Sequence, residues 1–158
     1  MKKAVVFLLL AAAAVSCKST SATSTKLDNK SERGLSGDWT LTSVSYPGSE
    51  YIRVFSLGLA DSKCFEGSSW HLVSNNNKGT MSLAGGANCA AFDSPITWFV
   101  NKEGQFVLKV LNAGEKARKV RDGYVLSMAN QTPTSFQLVD RVDVAGKMTE
   151  VVYQFQKR

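Results

Sequence analysis

Ile96-Thr97-Trp98-Phe99-Val100-Asn101, then Lys102-Glu103-Gly104, then Gln105-Phe106-Val107-Leu108-Lys109-Val110 is the stretch that decides the fold. Ile96, Trp98 and Val100 alternate with Thr97, Phe99 and Asn101; Phe106, Leu108 and Val110 alternate with Val107 and Lys109. A period of two marks a strand with one face turned to a core. A short break containing Gly joins two such strands as a hairpin.

The same parity extends in both directions. Upstream, Trp39 and Leu41 oppose Asp38, Thr40 and Thr42, and Trp70 and Leu72 oppose Ser69, His71 and Val73. Asn75-Asn76-Asn77-Lys78-Gly79 then reads as a hairpin connection to Met81 and Leu83, which oppose Thr80 and Ser82. Downstream, Tyr124, Leu126 and Met128 oppose Val125 and Ser127, and the turn Asn130-Gln131-Thr132-Pro133 leads to Phe136 and Leu138 opposite Ser135, Gln137 and Val139. Gly146 marks the last turn, before Val151, Tyr153 and Phe155 opposite Val152, Gln154 and Gln156. The pattern predicts an all-β fold, an eight-stranded antiparallel up-and-down β-barrel, because closure leaves no exposed ladder. A two-layer sandwich satisfies the same parity, but short consecutive connections favour the meander of a barrel. Only Tyr51 to Ser62 breaks the period, and there Ile52, Phe55 and Leu59 fit a short helix in the first long loop.

Composition agrees with a packed domain. The 158 residues are 44% hydrophobic and 20% charged, with 12 Gly and 3 Pro, too apolar for disorder and too poor in Gly and Pro for a fibre. The net charge of +6 is scattered, with no aromatic residues interleaved in a basic stripe, so no nucleic-acid partner is expected. Lys116, Arg118, Lys119 and Arg121 share a loop with Glu115 and Asp122, which reads as a solvated hairpin tip. No Gly-x-Ser-x-Gly elbow is present, and the lone His71 falls on an outward position, so no enzyme and no catalytic residue is expected. Gly85-Gly86 lacks the strand and helix that a phosphate loop needs, and no cofactor is implied.

The first residues are an address. Lys2 and Lys3 precede an apolar run from Ala4 to Val15, too short for a bilayer core that needs about 20 helical residues. Ala14-Val15-Ser16-Cys17 resembles the lipobox of bacterial lipoproteins, with Ala14 where that pattern usually has Leu. The resemblance implies a signal peptide over 1–16 and lipid attachment at Cys17, with fatty acyl chains such as palmitate. Two or three chains hold a protein essentially permanently, where one gives only marginal binding. Residues 17–33 hold one Leu and read as a Ser/Thr-rich tether, on the order of 22 Å long as a coil, leaving 34–158 as the barrel domain. Lys18 stands where Asp favours inner-membrane retention in enteric lipoproteins, so the resemblance points to the outer membrane of a bacterial cell envelope, facing the periplasm. With Cys17 spent on lipid, Cys64 and Cys89 remain in an oxidising compartment. A disulfide is the favoured reading, two free buried thiols the alternative, and a metal site with His71 lacks the paired ligand spacings of zinc.

Gly34-Leu35-Ser36-Gly37-Asp38-Trp39, opening the first strand, resembles the Leu-x-Gly-x-Trp signature of lipocalins and of the lipocalin-like domains of Bacteroidetes lipoproteins. The resemblance implies that Trp39 caps the closed end of the barrel under a basic residue, for which Lys157, Arg158 and Arg141 are the candidates. It also places a lid over the open end, at Pro47 to Ser68. The inward set implies a ligand cavity walled by Trp39, Leu41, Trp70, Leu72, Met81, Leu83, Trp98, Phe106, Leu108, Tyr124, Leu126, Met128, Phe136, Leu138, Tyr153 and Phe155, with Ile96, Val100, Val110 and Val151 on the same face. Tyr124, Tyr153 and the indole groups would be its polar handles. Small barrels are either filled by side chains or hold one small guest. The expected function is therefore binding of a small hydrophobic ligand by a membrane-anchored envelope lipoprotein. The alternative is a filled barrel acting as a protein-interaction or protease-inhibitor module without ligand.

Overall fold

The computed structural model describes residues 29–49, 52–111, 120 and 123–158. Cys17, the signal segment, most of the tether and the Lys116 to Arg121 cluster lie outside the described residues. A short helix, α1 (Asn29–Leu35), precedes β1 (Gly37–Ser45). The first long connection holds a small hairpin, β2 (Phe55–Ser56) with β3 (Ala60–Asp61), and a 3-10 turn, Ser62–Phe65. Then follow β4 (Ser69–Val73), β5 (Lys78–Leu83), β6 (Phe92–Val100), β7 (Gln105–Val110), β8 (Tyr124–Ala129), β9 (Ser135–Val144) and β10 (Lys147–Lys157).

Eight of these strands close an antiparallel barrel in the order β1-β10-β9-β8-β7-β6-β5-β4. The seam is set by Trp39, which lies opposite Lys157 on β10 and opposite Trp70 on β4. One closed ring, and not two layers, is the solution the parity finds. The register of β1 shifts between Leu41 and Ser43, a bulge at Thr42 that switches the inward phase from Trp39 and Leu41 to Val44 and Tyr46. The last hairpin turns through Ala145 and Gly146, both at positive φ, the two-residue geometry that matches strand twist.

The chain enters the barrel at one end, and that end is sealed. Seven helical residues are too few to persist alone, so tertiary contacts hold α1. Leu35 is wholly buried, and the buried Glu32 carboxylate accepts from the Val100 N–H (3.1 Å) and from Asn77 Nδ2 (3.2 Å). Trp39 Nε1 donates to the Leu35 carbonyl (2.8 Å), satisfying an orphan acceptor of the last helical turn. Gly37, at φ 130°, lets the chain swing from helix to strand beneath Lys157. Lys157 Nζ lies 5.4 Å from the centre of the Trp39 ring, so Lys157 is the covering cation. Arg158 instead donates to Thr40 Oγ1 (2.9 Å), and Arg141 pairs with Glu150 outside the barrel (3.0 Å).

Two sequence expectations shift. Asn29–Leu35 is helical, so residues 29–33, expected in the tether, belong to the folded domain. Composition missed them because Glu32 is a structural acceptor and Leu35 the anchor. Residues 55–61 form a hairpin, not the helix that Ile52, Phe55 and Leu59 suggest; the short helical turn of this loop comes later, at Ser62–Phe65. Leu57 and Gly58 both take positive φ (52° and 62°), the backbone of a tight hairpin turn that no helix permits, and Phe55 is left exposed.

Candidate functional site, the lidded end of the barrel

The 3-10 turn and the β2–β3 hairpin fold over the end opposite α1. Val54, Ser56, Leu57, Ser62 and Phe65 are all buried there, so the connection is a lid with its own apolar underside. Burial of Leu57 holds a left-handed conformation that a bulky residue resists. Gly58 presses so near β8 that a Cβ on it would lie 2.5 Å from the Tyr124 hydroxyl, which brings Tyr124 against the lid.

Several bonds fasten this lid. Tyr46 Oη and Ser62 Oγ share a hydrogen bond of 2.6 Å, and the Ser62 N–H donates to the Val54 carbonyl (2.7 Å). Glu66 Oε1 accepts from the Val44 N–H (2.8 Å) and from Lys63 Nζ (2.9 Å), while Lys63 Nζ also donates to the Val44 carbonyl. Partial burial opposes ionisation of Glu66, but the Val44 N–H and then the Lys63 ammonium outweigh it and hold the carboxyl below its ordinary range. The disulfide Cys64–Cys89, with Cα atoms 5.4 Å apart, ties the lid to the β5–β6 loop and excludes both free thiols and a thiolate metal site.

Beneath the lid the wall is not uniformly apolar. Asp140 on β9 lies opposite Val151, whose side chain is fully buried, and the β9–β10 register runs without a break from Gln156↔Ser135 to Lys147↔Val144. Asp140 therefore shares the inward face with Phe136, Leu138, Val142 and Val144. It is half-buried, and burial pushes its carboxyl up, opposed by a hydrogen bond from the Arg141 N–H. Tyr153 is a diagonal neighbour on that face, 2% exposed, with Phe65 edge-on to its ring at 6.3 Å. Burial drives the Tyr153 hydroxyl far above its ordinary value, an effect damped by the nearby Ser56 hydroxyl and reinforced by the Asp140 charge and then Tyr46. Tyr153 and Ser56 do not meet at hydrogen-bonding geometry, and Tyr153 Oη and Ser56 Oγ are both buried without a partner among the described residues. Such orphans are uncommon in a folded interior. Val110, Tyr124, Val142 and Val144, on the inward phase of the same end, are partly buried against the core.

The other half of the interior is filled. Phe136 and Phe155 stack at 4.5 Å, Trp39 meets Phe136 edge-on at 4.7 Å, and Trp70 meets Phe155 edge-on at 5.4 Å. Trp98 stacks on Phe106 at 5.4 Å. Leu41, Leu72, Met81, Leu83, Ile96, Val100, Leu108, Leu126, Leu138 and Val151 are buried in the same core, and Met128 packs partly buried against it. Every indole is already satisfied: Trp39 by Leu35, Trp70 by Ser68 Oγ (2.9 Å) and Trp98 by the Lys78 carbonyl (3.0 Å). The expectation that indoles serve as polar handles is corrected, since each N–H is spent inside the fold; the buried hydroxyls without a partner among the described residues are those of Tyr153 and Ser56. Parity missed Val44 and Tyr46 because of the bulge. Asp140 was readable by carrying the Phe136, Leu138 phase one step further.

His71 lies on the outer face, exposed, its Nδ1 2.7 Å from Asp38 Oδ1. Among the described residues no three His, Cys, Asp or Glu side chains gather as a metal site. No helix among them is long and apolar enough to cross a membrane.

No protein-family model and no curated protein matches this chain. Solved structures do. One named Odorant Binding Protein OBP1 is 12% identical, with 84% of this chain and 75% of that chain covered and a TM-score of 0.46. Bovine odorant binding protein complexed with its natural ligand is 14% identical over 84% of this chain and 75% of that one, with a TM-score of 0.46. The same bovine protein in complex with undecanal gives 14%, the same coverages and a TM-score of 0.45. The barrel itself stands on its own strand register, which closes between β1 and β4.

Proposed function

We propose that this chain is a lipid-anchored envelope protein, held at Cys17, whose lipocalin-like barrel binds a small, mainly hydrophobic molecule beneath the lid. One observation supports the binding reading above the rest: among the described residues Tyr153 Oη and Ser56 Oγ are buried and unpartnered in a mainly apolar surrounding. Leaving a buried hydroxyl unsatisfied costs about 1–3 kcal/mol, and a guest with one polar group repays it. Catalysis plays no part in this reading. The tightly packed aromatic half favours the second reading, a filled module that contacts another envelope protein through its loops.

Native mass spectrometry of the full chain, with titration of its tryptophan fluorescence by medium-chain aliphatic probes, separates the two. Ligand binding gives a retained mass or a saturable change in emission; neither appears for a filled module. Membrane association that survives Cys17→Ala would overturn the anchor.

A further inference from the structure

Asp140 is an ionisable carboxyl on the inner wall of a barrel, and among the described residues no cation answers it. Arg141 turns outward to Glu150, and Lys63 is held by Glu66 and the Val44 carbonyl. Its inward neighbours are Leu138, Val142 and Val151, with Tyr153 on one diagonal and Thr149, whose hydroxyl donates to the Lys147 carbonyl, on the other. An uncompensated charge in such surroundings is costly, so a complementary group from outside gains by meeting it.

The two orphaned hydroxyls narrow that group. Tyr153 Oη and Ser56 Oγ each offer free lone pairs at the same end of the interior as Asp140. An ammonium brings a positive charge and three N–H donors with no acceptor, which a carboxylate and two hydroxyl oxygens match in number and polarity. The rings of Tyr153 and Phe65 add π faces that attract a cation. Val110, Val142 and Val144 supply apolar wall for the remainder of the molecule. A carboxylate ligand would meet Asp140 as a like charge, and an alcohol would leave that charge unanswered.

We propose that the lidded compartment selects small apolar amines, with Asp140 as counter-ion and the Tyr153 and Ser56 hydroxyls accepting the remaining ammonium N–H bonds. The proposal rests on reading this compartment as the ligand site, and the test keeps the two apart.

The full chain is titrated calorimetrically at neutral pH with octylamine, octanol and octanoate, which share a chain length and differ only in the head group. Octylamine is expected to bind at least about ten-fold tighter than octanol, with octanoate weakest. Asp140→Asn, nearly isosteric, should lose about ten-fold for octylamine and leave octanol unchanged. Tyr153→Phe should weaken octylamine by a smaller factor, with an unchanged fold by circular dichroism. If octanol or octanoate binds as tightly as octylamine, or if Asp140→Asn keeps the amine preference, the amine proposal is overturned and the hydrophobic site stands. If none of the three gives saturable heat, both are overturned.

Discussion

The two ends of the barrel solve opposite problems with the same strands. At the sealed end, buried donors find acceptors: Trp39 with Leu35, Val100 with Glu32, Trp98 with Lys78. At the lidded end, among the described residues, two hydroxyls are orphaned and a carboxyl lacks a counter-charge, while the lid is fastened by a disulfide and a few polar contacts at its rim. Among the described residues, the unsatisfied polar groups gather at the lidded end, the division expected if a rigid base supports the site proposed above.

The sharpest way to break this contrast is at the base. Trp39→Ala should cost about 3–5 kcal/mol in denaturant unfolding, since it empties a fully buried aromatic site. A loss near the exposed-site level would mean that the sealed end is not the stabilising one. Replacing Cys64 and Cys89 together with Ala should cost about 3.5 kcal/mol on the chain-entropy account of a loop with sequence separation 25. Amide exchange adds the position: protection should fall in the lid and persist in β9 and β10 near Phe136 and Phe155.

Glu32→Ala should cost about 1–3 kcal/mol by stranding the Val100 N–H, a loss that Glu32→Gln partly restores. Ala145→Asn is the smallest effect at fixed pH, a gain of about 0.5–1 kcal/mol in melting experiments, because Asn accepts positive φ at lower cost than Ala.

Acid sharpens the contrast through two carboxyls of opposite sign. Glu66 has a lowered pKa, so its contribution is present above its unfolded value of 4.5 and fades as pH falls through the folded one. Asp140 has a raised pKa, so its ionised form costs stability above that folded value, and the cost is relieved as pH falls toward 3.8. Stability measured against pH should lose the relief in Asp140→Asn and the acid loss in Glu66→Gln.

Much of the wall was legible because each strand keeps its period and short turns fix neighbours: the inward phase of Ile96 to Val110 reappears in the register Trp98↔Leu108. The Leu-x-Gly-x-Trp stretch likewise pointed to a basic cap, which proved to be Lys157. The lid was not legible, since its hairpin depends on Leu57 in a conformation that only burial enforces. Nor was α1, whose helicity is lent by Glu32 and Leu35 reaching the barrel floor. The polar character of the mouth was missed for a different reason: parity is scored on apolar residues, so an inward Asp140 or an inward Ser56 on the lid reads as silence.

The position of α1 has a directional consequence. Because α1 leads into β1 at the floor, the chain enters the fold at the end opposite the lid, so a load applied from the N-terminal side would reach the helix and the Trp39 cap before the disulfide-tied lid.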